Sequence, residues 1–286
     1  MISHPHFWFA IPVFNRIALT LSCLDSIRKQ SYKDYVIVIC DDGSTDNTTA
    51  ILEEKYPEVR IIQGDGNLWW TGGTNECIRY ILDHASPDDF IVTLNNDLEL
   101  AEDYLQQMLH AVHTKPDSIF MSACYDIKNK GILIEPGRKM NWFIAKDIKI
   151  NAEKYNARGL AEVTHAPGRG TVFSVEVFRK IGLFDFDKFP HYAADYDLTH
   201  RAKRAGYYIF INYDAKLYSH VEETGLTGFR KKKNLSGLLR YLSDIKSPAC
   251  LRYRWRYAVK NCPPLLLPTF IIFDAIFIVG SYFKSR

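Results

Sequence analysis

Short apolar runs alternate with amphipathic segments along the first part of the chain. The runs are rich in Val, Ile and Phe and cover 7–13, 35–40, 59–63, 90–94 and 118–123. Apolar residues at helical spacing predict helices between them, at about 17–30, 46–56, 74–84 and 102–113, with Asp46 as the N-cap of the second. Strands that are apolar throughout and separated by helices are typical of a parallel sheet. We therefore expect an α/β fold with a mostly parallel sheet and helices on both faces.

The later part of the chain is less regular. The stretch 124–164 permits no assignment, and strand-like and helix-like segments resume between 168 and 218. Basic runs follow at 229–234 and 252–260, and residues 265–283 are almost wholly apolar, close to the ~20 residues that cross a bilayer. Pro268 and Asp274 interrupt this tail, and a charge within a membrane span is costly. We expect the tail to contact a membrane surface; a helix packed on the protein and a true span are the alternatives.

Charge, cysteine spacing and missing motifs argue against several classes of protein. Lys and Arg total 36 and Asp and Glu 33, so nucleic acid is not expected as a partner. The six cysteines form no C-x-x-C pair, which argues against a zinc site and favours reduced thiols in the cytoplasm. The N-terminus shows no signal-peptide pattern. Without a G-x-x-x-x-G-K-[ST] or G-x-G-x-x-G segment, a P-loop NTPase and a standard dinucleotide enzyme are disfavoured.

Four polar loops follow the predicted strands. They are FNR (14–16), DDGS (41–44), GNLWWTGG (66–73) and NND (95–97). Ligands of such sheets bind outside the carboxyl ends of the strands, so the four loops should converge on one crevice. The third lies in a predicted loop from 64 to 75, which has no core for two adjacent tryptophans. The tryptophans either line the crevice wall or pack beneath the loop as a plug.

The NND loop suggests a site for a hard divalent cation. Asp97 and the amides Asn95 and Asn96 offer oxygen ligands that suit Mg²⁺ or Mn²⁺, although Asn and Asp also end strands in ordinary turns. The DDGS loop adds a second acidic group. Two acidic loops that face one crevice repel each other unless a cation or hydrogen-bond donors lie between them.

Two further positions could carry chemistry. Asp195 and Asp197 begin a predicted helix, where they either complement the helix dipole or include a general base. His220 follows an apolar run and is a structural residue unless it lies near Asp97.

These segments resemble a family-2 glycosyltransferase of the GT-A fold. AIPVFNR and VIVICDDGSTDNT are similar to the nucleotide-binding start of that family. GNLWWTGGTN resembles the N-x-G-x-x-G-G-x-N segment of bacterial enzymes that transfer rhamnose or galactofuranose. TLNNDLEL stands where the family has its D-x-D motif, and 170–207 resembles the acceptor-side segment with its Glu-Asp pair. The resemblance covers roughly residues 7–225, and the basic and apolar tail fits only loosely.

The resemblance implies roles for particular residues. Asp97 would bind the divalent metal, Mg²⁺ or Mn²⁺, that bridges the donor diphosphate, and His220 would supply a second ligand. Asp195 would be the catalytic base, although Ala194 precedes it where the family commonly has Glu. Pro12, Asn15, Arg16 and Asp42 would hold the base and ribose of the donor nucleotide. The other expected donor-binding residues are Phe14, Gly66, Asn67, Trp69, Trp70, Gly73, Asn75, Asn95 and Asn96, the last two replacing the usual acids.

The tryptophans distinguish this chain from the enzymes that it resembles, which often carry small residues there. Gly66, Gly72 and Gly73 would let backbone approach the donor closely. We expect Trp69 and Trp70 to narrow the donor pocket, with one stacking on the apolar face of a sugar, unless one serves as a packing plug.

The resemblance therefore implies an inverting glycosyltransferase. Its donor would be dTDP-rhamnose or a UDP-sugar, and its acceptor a surface glycan or a lipid-linked saccharide at the inner face of the bacterial cytoplasmic membrane. A nucleotide-sugar-binding module without catalysis and a nucleotidyltransferase are the alternatives. The expected domains are a GT-A catalytic domain over 1–228, with a nucleotide-sugar half to about 123 and an acceptor half from about 124, and a basic and apolar helical extension over 229–286.

Overall fold

The computed structural model describes residues 5–220, 234–244 and 247–284 of the chain. Within these residues the strands are β1 (Phe7–Val13), β2 (Tyr35–Asp41), β3 (Arg60–Gln63), β4 (Phe90–Thr93), β5 (Leu98–Leu100), β6 (Ser118–Asp126), β7 (Leu133–Glu135), β8 (Arg138–Asn141), β9 (Lys146–Lys149), β10 (Leu160–Glu162), β11 (Thr171–Ser174) and β12 (Tyr208–Ser219). The helices are α1 (Ile17–Arg28), α2 (Thr48–Lys55), α3 (Trp69–His84), α4 (Tyr104–Thr114), α5 (Val175–Ile181), α6 (Ala194–Arg204), α7 (Leu235–Ser243), α8 (Leu251–Asn261) and α9 (Leu267–Lys284).

One large sheet forms the centre of the described chain, in the order β10-β12-β6-β11-β4-β1-β2-β3. Strand β1 is parallel to both of its neighbours, β2 and β4, and β3 extends the parallel half. Strand β11 enters antiparallel between β4 and β6, and β6 is parallel to β12. The predicted α/β fold is confirmed, with a parallel sheet from β3 to β4 and a mixed sheet beyond, since β11 runs against its neighbours.

The sheet is covered on both faces, as expected. On β1, Trp8 and Ala10 face the core formed with α3, α5, α6 and α8. Phe9 and Ile11 point the other way, into the core formed with α1, α2 and α4. Successive side chains of a strand alternate between faces, so a strand buried on both sides must be apolar at every position. This is why the strands were recognisable as continuous apolar runs.

Helix α3 begins five residues earlier than predicted, at Trp69 rather than about Thr74. The predicted loop over 64–75 is therefore wrong beyond Leu68. The two glycines of this helix are sites of close packing. A Cβ on Gly73 would lie 3.0 Å from the Cβ of Pro12 on β1, and a Cβ on Gly72 would lie 3.0 Å from the Cβ of Leu68. Gly73 lets the helix approach the sheet, and Gly72 lets Leu68 and Phe186 pack against the helix, each at a cost in helix propensity of roughly 1 kcal/mol.

The predicted N-cap of α2 is also wrong. Asn47, in the left-handed region with φ 61°, occupies the N-cap position. The Asp46 carboxylate instead accepts the backbone N–H of Ile17 at 3.1 Å, at the start of α1. Asp46 thereby joins the loops that follow β1 and β2.

The stretch 124–164 contains the end of β6, four further short strands and part of the core. Strands β8 and β9 form an antiparallel hairpin, β7 pairs with β6, and β10 pairs with β12. Strands of three or four residues are too short to show a clear apolar pattern, and β10 in addition pairs with a strand far along the chain.

The C-terminal helices pack against the same core as α6. Tyr253 and Tyr257 of α8 and Phe270 of α9 are buried in it, and α8 and α9 form a helical hairpin. Most of the basic run 229–234 and the expected domain boundary at 228 lie outside the described residues. All six cysteines are buried and free, as expected.

We predict that Gly73→Val lowers the free energy of unfolding by about 1–3 kcal/mol, because the added side chain meets Pro12. Gly280→Val in α9 is the matched control, since nothing lies within 4 Å of its Cβ. Urea unfolding of both variants measures the difference, and equal midpoints would contradict the close packing of α3 on β1.

Candidate active site

The loops that follow β1 and β2 are joined by hydrogen bonds. Asn15 and Arg16 both have left-handed backbone, with φ 57° and 63°. The backbone N–H of Asn15 donates to Ser44 Oγ at 2.7 Å, and Thr45 N–H donates to Asn15 Oδ1 at 2.8 Å. Phe14 is exposed beside them, at 58% of its full surface. Two of the four predicted loops therefore form one unit at the carboxyl edge of the sheet.

A buried carboxylate attaches the third loop. Asp42 is 5% exposed, and its oxygens accept the backbone N–H of Gly66 at 2.8 Å and of Trp69 at 3.0 Å. The two bonds fix the loop before α3 and the first residue of that helix. An ionised carboxylate offers about four lone-pair positions, so Asp42 retains capacity to accept a hydrogen bond from a ligand.

Trp70 connects α3 to the fourth loop. Its indole N–H donates to Asn95 Oδ1 at 2.8 Å, and its ring packs edge-on against Phe184 with 5.3 Å between centroids. A Cβ on Gly168 would lie only 2.2 Å from the indole carbons. Trp70 is thus in contact with Asn95, Phe184 and Gly168 and is partly buried. Most of this side chain serves packing, which is one of the two roles that the sequence left open.

Trp69 lies beside the segment that precedes α6. Its backbone is left-handed, with φ 55°, and its ring centroid lies 6.1 Å from that of His191. A bulky residue with positive φ is strained, and such strain persists where the surrounding contacts over-determine it. Here the bond from Trp69 N–H to Asp42 supplies one of those contacts.

Asp97 follows β4 and lies beside His220. The backbone N–H of His220 donates to the carbonyl of Asp97 at 3.4 Å. Burial raises the pKa of Asp97, and the charges of Arg16, Arg169 and His220 offset part of that effect. A buried carboxylate whose charge is only partly compensated by its neighbours is suited to binding a cation.

Asp97 and His220 fit a metal site that a bound ligand completes better than a site formed by protein side chains alone. Within the described residues, no group of three or more His, Cys, Asp or Glu side chains could hold a metal alone. His220 Nε2 is nevertheless buried, and it has no hydrogen-bond partner among the described residues. It lies 3.7 Å from Glu99 Oε1. An orphaned imidazole nitrogen next to a carboxylate is what a metal would satisfy. Mg²⁺ in particular is commonly held by one or two carboxylates together with substrate phosphates.

The two aspartates at the start of α6 have different surroundings. Asp197 is fully buried and bonded to Arg201 and Lys260, so it is a structural residue. Asp195 is partly exposed, and its Oδ2 accepts the backbone N–H of Gly168 at 3.0 Å. Burial raises the pKa of Asp195, and the hydrogen bonds that it accepts offset this only in part. Of the two, Asp195 is the group that can exchange a proton with a ligand.

Gly168 brings Asp195 to the same place as the other loops. Its backbone bonds to Asp195, and its α-carbon lies against Trp70, which is bonded in turn to Asn95. The loops that carry positions 42 and 97 therefore lie close together, as the strand-end argument predicted, and Gly168 adds the start of α6 with Asp195 to them.

The remaining candidates have three kinds of surroundings. Asn75 is 2% exposed and clamps the backbone of Phe184 through both ends of its carboxamide, so with Gly73 it packs α3 against its neighbours. Asn96 Nδ2 donates to Thr20 Oγ1 at 2.9 Å. Asn67 and Gly66 lie exposed in the loop before α3.

Sequence reasoning missed Arg169. Its guanidinium lies 3.8 Å from Glu135 Oε2, and its charge acts on Asp97. The only sign in the sequence is a cation between two glycines directly before β11.

Comparison with known proteins agrees with this arrangement. A family model described as glycosyl transferase family 2 matches residues 8–182. A similar curated protein is the GalNAc(5)-diNAcBac-PP-undecaprenol beta-1,3-glucosyltransferase of Campylobacter jejuni, 30% identical over 99 residues, which are 35% of this chain and 32% of that protein. The chain spans less than two thirds of the length of the curated relatives that it matches first.

Two solved structures share the fold. Residues 1–349 of Staphylococcus aureus TarS superpose with a TM-score of 0.58 at 15% identity, covering 99% of this chain and 76% of that one. GalNAc-T7 with UDP, GalNAc and Mn²⁺ gives a TM-score of 0.60 at 11% identity, covering 75% of this chain and 43% of that one. At these identities the likeness supports the fold alone.

We predict that Asp42→Asn lowers the free energy of unfolding by about 1–3 kcal/mol, because one backbone N–H loses its charged acceptor within a buried site. Asp65→Asn is the matched control, since Asp65 accepts the N–H of Asn67 in the exposed part of the same loop. Hydrogen exchange at Gly66 and Trp69 should accelerate in Asp42→Asn alone. Unchanged exchange at both amides would show that Asp42 does not hold the loop.

Proposed function

The chain belongs to glycosyl transferase family 2, and on that premise we propose that it transfers a sugar from a nucleotide-diphosphate donor to a glycan or lipid-linked acceptor. The proposal is supported above all by the meeting of the Asp42, Asp97 and Asp195 loops around Trp70. In this proposal Asp42 and Asn15 bind the donor nucleotide. Asp195, linked to Trp70 through Gly168, serves the acceptor.

The donor diphosphate needs positive charge around it. Asp97 and His220 would hold a divalent cation, Mg²⁺ or Mn²⁺, and that cation would stabilise the charge developing on the leaving diphosphate. Arg16 and Arg169 bring two further positive charges near Asp97. The D-x-D position retains one acid, so the protein would hold the metal with one carboxylate fewer. The two arginines would then neutralise part of the diphosphate charge directly.

The acceptor hydroxyl must lose a proton as it attacks the sugar. Asp195 would accept that proton, and its carboxylate is oriented by the Gly168 N–H. With a base on one side of the anomeric carbon and the leaving diphosphate on the other, a single displacement follows, and the configuration inverts. Trp70 would form the wall of the sugar pocket. We expect dTDP-rhamnose as the donor, with UDP-linked hexoses next, and reaction at the cytoplasmic face of the membrane.

A nucleotide-sugar-binding module without catalysis remains the second candidate. One observation favours it: Asn95 stands in the metal motif and its Oδ1 is taken by the indole of Trp70. This candidate predicts metal-dependent binding without turnover in the presence of any acceptor.

We predict that binding of the correct nucleotide sugar tightens at least about 10-fold with Mn²⁺ and that Asp97→Ala abolishes the difference. Calorimetric titration of dTDP-rhamnose, UDP-galactose and UDP-glucose, with Mn²⁺ and with chelator, measures this. Asp103→Ala, at the exposed start of α4, is the control. Equal affinities with and without Mn²⁺ in the unaltered chain would refute the metal role of Asp97.

We predict that Asp195→Asn lowers kcat by about 10²–10⁴ while donor affinity stays unchanged. The amide keeps an oxygen acceptor for Gly168 N–H and loses the one for Tyr196 N–H, so the loop should stay in place at a modest cost in the free energy of unfolding. Asp197→Asn is the contrasting variant: it should destabilise the protein, because Asp197 is buried among its cationic partners. A normal kcat in Asp195→Asn would exclude this base.

The pH dependence follows from the same carboxylate. A base must be ionised, and burial raises the pKa of Asp195. We therefore expect kcat/KM to fall as the pH drops through a value above the ordinary range of an aspartate, and to level off above it. An acid limb at or below the ordinary value would contradict the assignment.

A further inference from the structure

Helix α9 has two unlike faces. Phe270, Asp274, Ile278 and Tyr282, spaced by four, are buried against the rest of the protein. The opposite side exposes apolar residues at helical spacing, which we call the α9 ridge: Leu265, Pro268, Ile272, Ile276, Val279 and Phe283. Ile272 and Ile276 are 59% and 58% exposed. A contiguous exposed apolar face of this kind marks a contact surface.

The single acidic residue of α9 lies on its inner face, so the outer face carries no acidic side chain. Asp274 points inward and is held by the guanidinium of Arg254 on α8, with Nε to Oδ2 at 2.8 Å. Phe270, one turn earlier, packs against Trp142 with 5.6 Å between ring centroids. Both contacts bind the inner face of α9 to the folded protein.

This pairing bears on the choice between crossing a membrane and lying on it. By length and composition, Pro264–Phe283 is the one helix in the described ranges that could span a bilayer. To span, α9 would have to leave α8, and Asp274 would enter the hydrocarbon without Arg254. An unpaired carboxylate there is costly, and so is the arginine left behind. Lying flat keeps the pair and buries only the ridge.

Positive charge lies beside the ridge. The β8–β9 hairpin packs against α9, where Phe143 contacts Phe273 at 6.1 Å between ring centroids and Lys146 Nζ lies 6.0 Å from the ring of Phe277. Strand alternation puts Ile148 on the same face of β9 as Lys146.

Lys139 pairs directly with Ile148 across the hairpin, so it shares that face. Lys139, Lys146 and Ile148 are all exposed. We call these three the hairpin face.

We propose that the α9 ridge and the hairpin face dock together on an anionic bilayer surface, with α9 lying in the plane of the interface. Charge complementarity selects this occupant: apolar side chains enter the boundary between headgroups and acyl chains, and the lysines meet anionic headgroups. A second copy of the chain fits less well, since a two-fold contact through this surface would bring like-charged lysines together. The docking goes beyond the proposed reaction and does not depend on it.

The test is co-sedimentation of the full chain with vesicles of phosphatidylcholine alone and of phosphatidylcholine with phosphatidylglycerol. We expect binding to the anionic vesicles. Ile272→Ser/Ile276→Ser should weaken it at least about 10-fold, since two buried aliphatic side chains are lost. Lys139→Gln/Lys146→Gln should weaken binding to anionic vesicles about 10- to 30-fold. High salt should also weaken the binding of the unaltered chain, because it screens the same charges.

The controls lie on the other face of the sheet. Tyr208→Ser removes a side chain that is 60% exposed, and Lys29→Gln/Lys115→Gln removes two exposed charges. All variants carry substitutions of exposed residues, so circular dichroism and unfolding midpoints should match the unaltered chain. Full binding by the ridge and hairpin variants, or equal losses in the controls, would overturn the proposal.

Two further readouts separate the alternatives. Alkaline carbonate should release the chain from membranes, whereas retention in the pellet would show a span and overturn the interfacial placement. Light scattering after size exclusion should give the same mass with and without Ile272→Ser/Ile276→Ser. A dimer lost in that variant, with no vesicle binding by the unaltered chain, would assign the ridge to a second copy instead.

Discussion

The arrangement of the crevice depends on one buried carboxylate. Asp42, at the end of β2, accepts the backbone N–H groups of Gly66 and Trp69, and this sets where α3 begins. With that first turn fixed, Trp70 reaches Asn95 at the end of β4 and lies against Gly168, which is bonded to Asp195. Parts of the chain that are more than 100 residues apart thus meet through a few hydrogen bonds. The bonds can form because the strands already bring these loops to one edge of the sheet.

Helix α6 and the C-terminal helices are linked by buried charges. Lys260 of α8 donates to Asp197 at 2.9 Å and also bonds to Asp185. Burial opposes ionisation of Asp185, yet the bond to Lys260 and its charge lower the pKa of that carboxyl below its usual range. These pairs bind α8 to the helix that carries Asp195 two residues before Asp197. Arg254 ties α9 to α8 in turn, so the surface formed by α9 and the β8–β9 hairpin is connected through α8 to the helix that carries Asp195.

The order of strands and helices could be predicted because each parallel strand is buried on both faces and is apolar at every position. The convergence of the polar loops followed from the geometry of such sheets. The start of α3 could not be predicted, because a Trp-Trp-Thr-Gly-Gly sequence is a poor helix by propensity, and its first turn is held by Asp42, 27 residues away. Asp195 and Asp197 show the same limit: both begin one helix, and only tertiary contacts make one a buried ion-pair residue. Asp274 appeared to interrupt the tail, and its partner Arg254 lies 20 residues earlier.

Candidate site residues could be named from the sequence only where a family motif marks them. A bond joins the backbones of Asp97 and His220, and their shared role as metal ligands, which the resemblance implied, stays a prediction. Arg169 was missed, since a single arginine between glycines carries no pattern. The expected donor residues Gly73 and Asn75 pack α3 against β1 and the segment around Phe184, because glycines and asparagines serve close packing as well as ligand contact.

The most direct test of the account is the position of Mn²⁺ in crystals of the chain grown with its nucleotide-sugar donor, located by anomalous scattering. The account predicts one strong peak about 2 Å from a carboxylate oxygen of Asp97 and from a diphosphate oxygen of the donor. A donor bound in the crevice with Mn²⁺ elsewhere, or with Asp97 turned away from the diphosphate, would contradict it.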